Sequence, residues 1–215
     1  MNQTILIGRC DDDPTVIFPF HWANVIKEEA EKLELDIIDL QKENYVEEKI
    51  KKCIEEHNPF FLFLNGHGEV WCTKGHKHLP VLIANKNDFL LKNKIVYVVS
   101  CYTAQYLGQM AYEKGCKAYI GYEDDFAFVY MDSNQPLNDS IAKIYMEASN
   151  KIPLIILNGG TSQEAYIESQ QIFDKWIDFW DKRWKGIEKT KVPINIVSDI
   201  LAALITDRDG QRLLC

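Results

Sequence analysis

No stretch of the sequence approaches the roughly 18 consecutive apolar residues that a membrane-spanning helix needs, so a membrane protein is not expected. There is no basic excess either: 24 Lys and Arg stand against 32 Asp and Glu, a formal net charge of −8. Phosphate backbones call for a basic surface, so nucleic acid is not an expected partner. The opening residues, MNQTILIGRCDDD, have neither the basic flank nor the long apolar core of a secretory signal. The expectation is a soluble, cytoplasmic protein. The six cysteines (Cys10, Cys53, Cys72, Cys101, Cys116 and Cys215) show no paired spacing. Free thiols in a reducing compartment, most of them acting as small hydrophobes, are the better reading. No internal repeat, low-complexity segment or linker interrupts the chain, so residues 1–215 are expected to form a single domain.

What is present is an ordinary globular composition, 47% hydrophobic, over 215 residues. That is enough to bury a sizeable core. Residues 4–8 (TILIG) read as a short buried strand. Asp11, Asp12, Asp13 and Pro14 then make a loop, since such a run cannot continue a central strand. The spacing of Trp22, Val25, Ile26, Ala30 and Leu33 predicts a helix over 21–35. Residues 36–40 read as a strand, and 45–57 as an amphipathic helix closed by Asn58-Pro59. Further strands are expected at 60–65, 70–72, 80–84, 94–100 and 117–122, with a helix over 102–114 stopped by Gly115. This alternation predicts an α/β fold: a mostly parallel central sheet with helices on both faces. Beyond it, a helix is expected over 137–149, extended by 153–157 after a kink. Thr161 and Glu164 have capping-box spacing ahead of a helix running to about 186. Asp209-Gly210 between apolar runs is a hairpin signal.

In such sheets function gathers at the carboxyl ends of the strands. The run FFLFLNGHG (60–68) ends by delivering His67, and KIVYVVSC (94–101) ends by delivering Cys101. If the two are neighbouring parallel strands, a nucleophile and a proton-transfer group meet at one sheet edge. A helix starting just after Cys101 would stabilise the thiolate, and free backbone N–H groups at that turn would bind an oxyanion. Gly66 and Gly68 allow close backbone approach to a substrate, and His67 is placed to protonate a leaving amine. Each residue alone has a plainer reading, a buried cysteine or a polar loop end; the functional one rests on their convergence. The trio Cys72, His76 and His78 has no familiar zinc spacing. The aspartate loop lacks the EF-hand pattern. No metal and no cofactor are expected.

The motifs NGHGE (65–69) and VVSC (98–101), whose histidine and cysteine stand 34 positions apart, resemble those of the caspase-like cysteine peptidases. That clan includes caspases, metacaspases, gingipains, clostripain, legumain, separase and bacterial CHAT domains. ILNGGTSQEA (156–165) and DRDGQRLLC (207–215) resemble a helix-break-helix segment and a closing terminal strand of the gingipain-like and CHAT members. The resemblance implies a three-layer caspase-like (flavodoxin-like) fold. It implies Cys101 as nucleophile, His67 as the catalytic histidine, and the amides of Gly68 and Cys101 as the oxyanion hole. It also implies that the histidine need not hydrogen-bond the thiol. The QAC-R-G pattern of caspases proper is missing, so aspartate specificity is not implied. In relatives the first substrate pocket is lined after the first strand and near the nucleophile. Here that loop offers Arg9 against Asp11, Asp12 and Asp13, and the loop after strand 117–122 adds Glu123, Asp124 and Asp125. Acids at Asp11, Asp12, Asp13 and Asp124 favour a basic substrate residue; a solvated acidic loop is the bland alternative. The function expected is a cysteine endopeptidase acting on a protein or peptide substrate, with an activating or regulatory protein partner. A catalytically inactive interaction module and a flavodoxin-like small-ligand binder remain open alternatives.

Overall fold

The computed structural model describes residues 3–215. β1 (Thr4–Arg9) lies between two parallel neighbours, β2 (Asp36–Gln41) and β3 (Phe61–Asn65). After β3 the chain leaves the main sheet and builds a small antiparallel one from β4 (Gly68–Glu69), β5 (Cys72–Lys74) and β6 (Pro80–Ile83). It returns as β7 (Ile95–Val99), parallel to β3, and β8 (Ala118–Tyr122), parallel to β7. β9 (Gln211–Leu214) closes the edge antiparallel to β8. The order across the six-stranded sheet is β2-β1-β3-β7-β8-β9.

The central strands are apolar without a break because both their faces are covered. Every residue of β3 and of β8 is buried. Ile5, Ile7, Phe61, Phe63, Tyr97 and Val99 share one face with α1 (Pro14–Lys32). Leu6, Leu62, Leu64, Val96 and Val98 share the other with α2 (Glu47–His57) and α3 (Leu107–Glu113). The alternation is the period of two of a β-strand. At about 1.5–3 kcal/mol per buried large side chain, each face is a major source of stability. Three further helices, α4 (Ala142–Leu157), α5 (Ser162–Trp184) and α6 (Ile194–Gly210), complete the chain. α4 also lies on the α1 face of the sheet. An outer cluster of Tyr145, Phe173, Trp180, Val197, Ile200 and Leu204 joins the three, with Phe126 and Phe128 packed against it.

Several expected boundaries move. α1 begins at Pro14 rather than near His21, capped by Asp13, whose side chain accepts from the Thr15 N–H at 2.8 Å. Proline in the first turn suits a helix start, since its missing N–H has no partner to lose. α4 starts at Ala142, after Asp139 has accepted from the N–H groups of Ile141 and Ala142, and runs through Pro153 without stopping. The capping box at Thr161 and Glu164 forms. The Asp209-Gly210 hairpin does not: α6 continues through Asp209 to Gly210, and only then does β9 begin. Val197, Ile200, Ala203 and Leu204 recur at helical spacing and are buried, and that packing outweighs a local turn preference. Residues 102–106 are turns rather than helix. The Tyr102 N–H donates to the Asp124 carbonyl at 3.1 Å and the Ala104 N–H to the Tyr122 carbonyl at 3.0 Å, which ties this segment to the end of β8. Among the described residues no helix is long and apolar enough to cross a membrane. All six cysteines are free thiols.

Candidate active site

β3 and β7 are neighbours in register, Asn65 opposite Val99, so the loops that leave the two strands emerge at the same edge. The Gly66 N–H donates to the Val99 carbonyl at 3.3 Å, and the Lys74 N–H to the His67 carbonyl at 2.8 Å. The His67 loop is thereby pinned between β7 and the small sheet. Gly68 then rests on the turn that carries Cys101. A Cβ there would lie 2.3 Å from the Cys101 carbonyl oxygen and 2.8 Å from the Ser100 side chain. Only glycine permits that approach. His67, Ser100 and Cys101 line one cleft of about 390 Å³. Its other wall is Thr15, Val16 and Pro19 of α1 together with residues 125–128 and Tyr130.

His67 is held from two sides. Its Nε2 lies 2.6 Å from Asp13 Oδ2. Its ring stacks on His78 with centroids 4.5 Å apart and planes at 20°. Asp13 uses Oδ1 to cap α1 through the Thr15 N–H and hydroxyl, which leaves Oδ2 for the histidine. Burial would raise the Asp13 pKa, but the hydrogen bonds from Thr15 and His67 outweigh it and hold the carboxyl down at about 2. The carboxylate therefore stays charged and orients the ring. With Nε2–H given to Asp13, Nδ1 is the nitrogen left for chemistry.

The Cys101 thiol differs from the expectation. α3 starts only at Leu107 and is seven residues long, so no helix N-terminus abuts the sulfur. Burial pushes the thiol up to about 11; the Phe126 N–H works against this, and the Asp125 carboxylate adds to it. Cys101 is accordingly a protonated thiol at neutral pH.

The other anticipated residues lie around this cleft rather than in it. Asp11 pairs with Lys42 at 2.7 Å. Asp12 accepts from the Lys77 N–H at 2.9 Å and lies 3.1 Å from His76 Nδ1. Asp124 borders a separate depression with Gln105 and Arg212. Arg9 is buried and turned away, its guanidinium on Asp39 at 3.0 and 2.6 Å. Asp125, next in sequence to Asp124, is the acid that lines the cleft. Cys72, His76 and His78 do not gather. The ligand atoms that converge are those of Asp13, His67 and His78, all within 4.8 Å of one another. The sequence pattern did not foretell that Asp13 would serve His67 rather than a substrate. The signal that could have placed it at the head of α1 is an aspartate directly before Pro14, a helix-start signature, but the blurred helical period after it hides that start. Nothing local in the sequence signals that His78 would stack on His67.

No protein-family model and no curated protein matches the sequence. Solved structures do. One is the Arg-specific cysteine proteinase gingipain R (RgpB), at a TM-score of 0.54 and 13% identity, over 79% of this chain and 42% of that one. Another is the complex of Porphyromonas gingivalis RgpB pro- and mature domains, at a TM-score of 0.53 and 12% identity, over 79% of this chain and 43% of that one. This chain thus spans less than half the length of the chains it resembles. At such identity the likeness is one of architecture: an α/β fold with a mostly parallel six-stranded sheet, the caspase-like fold of gingipain R.

Proposed function

We propose that the protein is a cysteine endopeptidase in which Cys101 is the nucleophile and His67, oriented by Asp13, is the acid for the leaving amine. The observation that carries this is the meeting of His67 and Cys101 in one cleft at the carboxyl ends of β3 and β7. The caspase-like fold shared with a cysteine proteinase supports it. In the reaction the Cys101 sulfur bonds to the substrate carbonyl carbon and the scissile C–N bond breaks. The thiol proton passes by way of His67 to the departing amine. Water then adds to the thioester, releasing the carboxylic acid and restoring the thiol. The amides of Gly68 and Cys101 are the proposed donors to the oxyanion.

The first-position preference proposed is for a basic residue, as in the Arg-specific neighbour. Asp125, rather than Asp11, Asp12, Asp13 or Asp124, is its partner in this reading, because it lines the cleft. Asp125 also helps to keep the thiol protonated. A cationic side chain paired with it removes that brake, so the correct substrate readies its own nucleophile. An activating protein partner that draws residues 123–130 away would act the same way. The raised thiol also favours a second reading, an inactive interaction module on the same fold.

Peptidyl acyloxymethyl ketones with Arg, Lys, Leu or Asp at the first position separate the two. Labelling at Cys101 by the Arg and Lys probes, lost in Cys101→Ala and no longer favoured over the Leu probe in Asp125→Asn, is the expected result. A protein that no probe labels and that cleaves no peptide of any first-position class is the inactive module.

A further inference from the structure

We infer that Asp13, His67 and His78 form a zinc site, and that a bound ion takes His67 out of the peptidase reaction. The regulatory half rests on the function proposed above; the metal site does not.

The donor set is two imidazole nitrogens and one carboxylate oxygen. That mixture suits zinc, which takes nitrogen and oxygen ligands at about 2.0–2.2 Å. It does not suit calcium or magnesium, which demand oxygen. Donors placed tetrahedrally at that radius stand about 3.3 Å apart. His78 Nε2 is 3.6 Å from Asp13 Oδ2, already near that separation. His67 Nε2 is 2.6 Å from the same oxygen, and a metal replacing the bridging hydrogen needs it to withdraw by about 0.7 Å. All three donor atoms lie within 4.8 Å of one another. Asp13 presents one oxygen only, since Oδ1 is committed to Thr15.

His78 is delivered to this place by a specific turn. Lys77 and His78 both take left-handed backbone (φ 56° and 58°) between β5 and β6. The Leu79 N–H closes the turn on the His76 carbonyl at 3.2 Å. The Lys77 N–H donates to Asp12, so the tip is fastened to the loop that carries Asp13. The side chains of His67 and His78 are 31% and 50% exposed, enough for an ion to enter from solvent. Three protein ligands leave a fourth position for water, which suits a site that exchanges rather than one that holds the fold together. Occupancy takes Nε2 from Asp13 and turns the ring, so the nitrogen meant for the leaving amine loses its aim.

The test uses the full chain and chelator-buffered zinc. One equivalent should bind, calcium and magnesium should not, and cobalt should give a spectrum without thiolate charge transfer. His78→Asn tolerates the left-handed backbone, and His78→Phe keeps the ring stack. Both should weaken zinc binding by about tenfold or more, while Cys101→Ser and Cys215→Ser keep it. Unchanged affinity in both His78 variants, or no stoichiometric binding to the parent protein, overturns the site. Zinc should also suppress ketone labelling of Cys101, reversibly with EDTA, in the parent chain and not in the His78 variants. Labelling that zinc leaves unchanged overturns the regulatory half. Zinc bound as described to a protein that no probe labels leaves the site standing and counts against the peptidase reading alone.

Discussion

Asp13 has two oxygens with separate tasks, one on the α1 cap and one on His67, and substitutions can pull them apart. Asparagine caps a helix about as well as aspartate; alanine does not, at a cost of about 1 kcal/mol. Asp13→Ala should therefore lower the melting temperature by about 2–4 °C for a chain of this size, and Asp13→Asn by little. Both should slow ketone labelling of Cys101, because neither leaves a charged oxygen on His67. Labelling unaffected by either change would make Asp13 a cap and nothing more. At Cys101 the thiolate is the reactive form, and burial with the neighbouring Asp125 carboxylate sets the thiol at about 11. Its alkylation by iodoacetamide, followed by peptide mass spectrometry, should climb by roughly tenfold per pH unit from 7 to 10. A plateau near neutral pH would mean that the thiolate is stabilised after all. His67 and Cys101 were legible in the sequence as the last letters of apolar runs. The state of the thiol was not, because it depends on burial and on Asp125, which approaches from 24 positions further along the chain.

Among the elements, the β3–β4 junction bears on the β7–α3 turn through Gly68. Gly68→Ala would set a methyl carbon 2.3 Å from a backbone carbonyl that cannot swing aside. The expected cost is about 1–3 kcal/mol, as for other overpacked sites, read by urea denaturation, together with loss of Cys101 labelling. A variant as stable and as readily labelled as the parent would show that the two turns do not need their present contact. Element types were legible wherever period and burial agreed, as in β1, β3, β7 and the α5 capping box. They were misread where a local signal was overruled from a distance. Asp209-Gly210 looks like a turn, yet α6 runs through it. Gln211 then anchors β9 by donating from its buried amide to the Tyr122 hydroxyl at 3.2 Å and the Ser169 hydroxyl at 3.1 Å. The start of α1 was hidden because Val16, Phe18, Pro19 and Phe20 are all buried, which blurs the helical period that a half-exposed helix would show. The shortened α3 reflects hydrogen bonds to the end of β8 that no local pattern announces.

At the scale of the whole molecule, the mostly parallel sheet followed from the alternation of strands and helices, but the strand order and the third layer did not. Nothing in α4–α6 as read alone places Asp207 behind the cleft. Its carboxyl is fully buried; Oδ1 accepts from the Ala127 N–H at 2.7 Å, and Oδ2 has no hydrogen-bond partner among the described residues. Burial raises its pKa well above the ordinary carboxyl value, with Asp125 adding to the shift and the Ala127 N–H opposing it. The folded protein thus keeps a proton that the unfolded chain releases near pH 4, so this carboxyl favours folding fully below that pH. The advantage is lost as pH rises towards the folded value. Asp207→Asn preserves the acceptor for Ala127 and cannot ionise. Its melting temperature relative to the parent should rise between pH 4 and pH 8. A constant difference across that range would refute the assignment.

That same contact has a wider meaning. Ala127 lines the same cleft as His67, and Phe126 and Phe128 beside it pack against the outer helical cluster. In the proposed peptidase His67 and Cys101 hang from the sheet, whereas the 126–128 part of the wall that would meet an incoming chain leans on α4–α6. On that proposal, chemistry and selectivity would rest largely on different bodies of packing. The helical layer could then be remodelled, and substrate preference with it, while the two loops that hold His67 and Cys101 stay as they are.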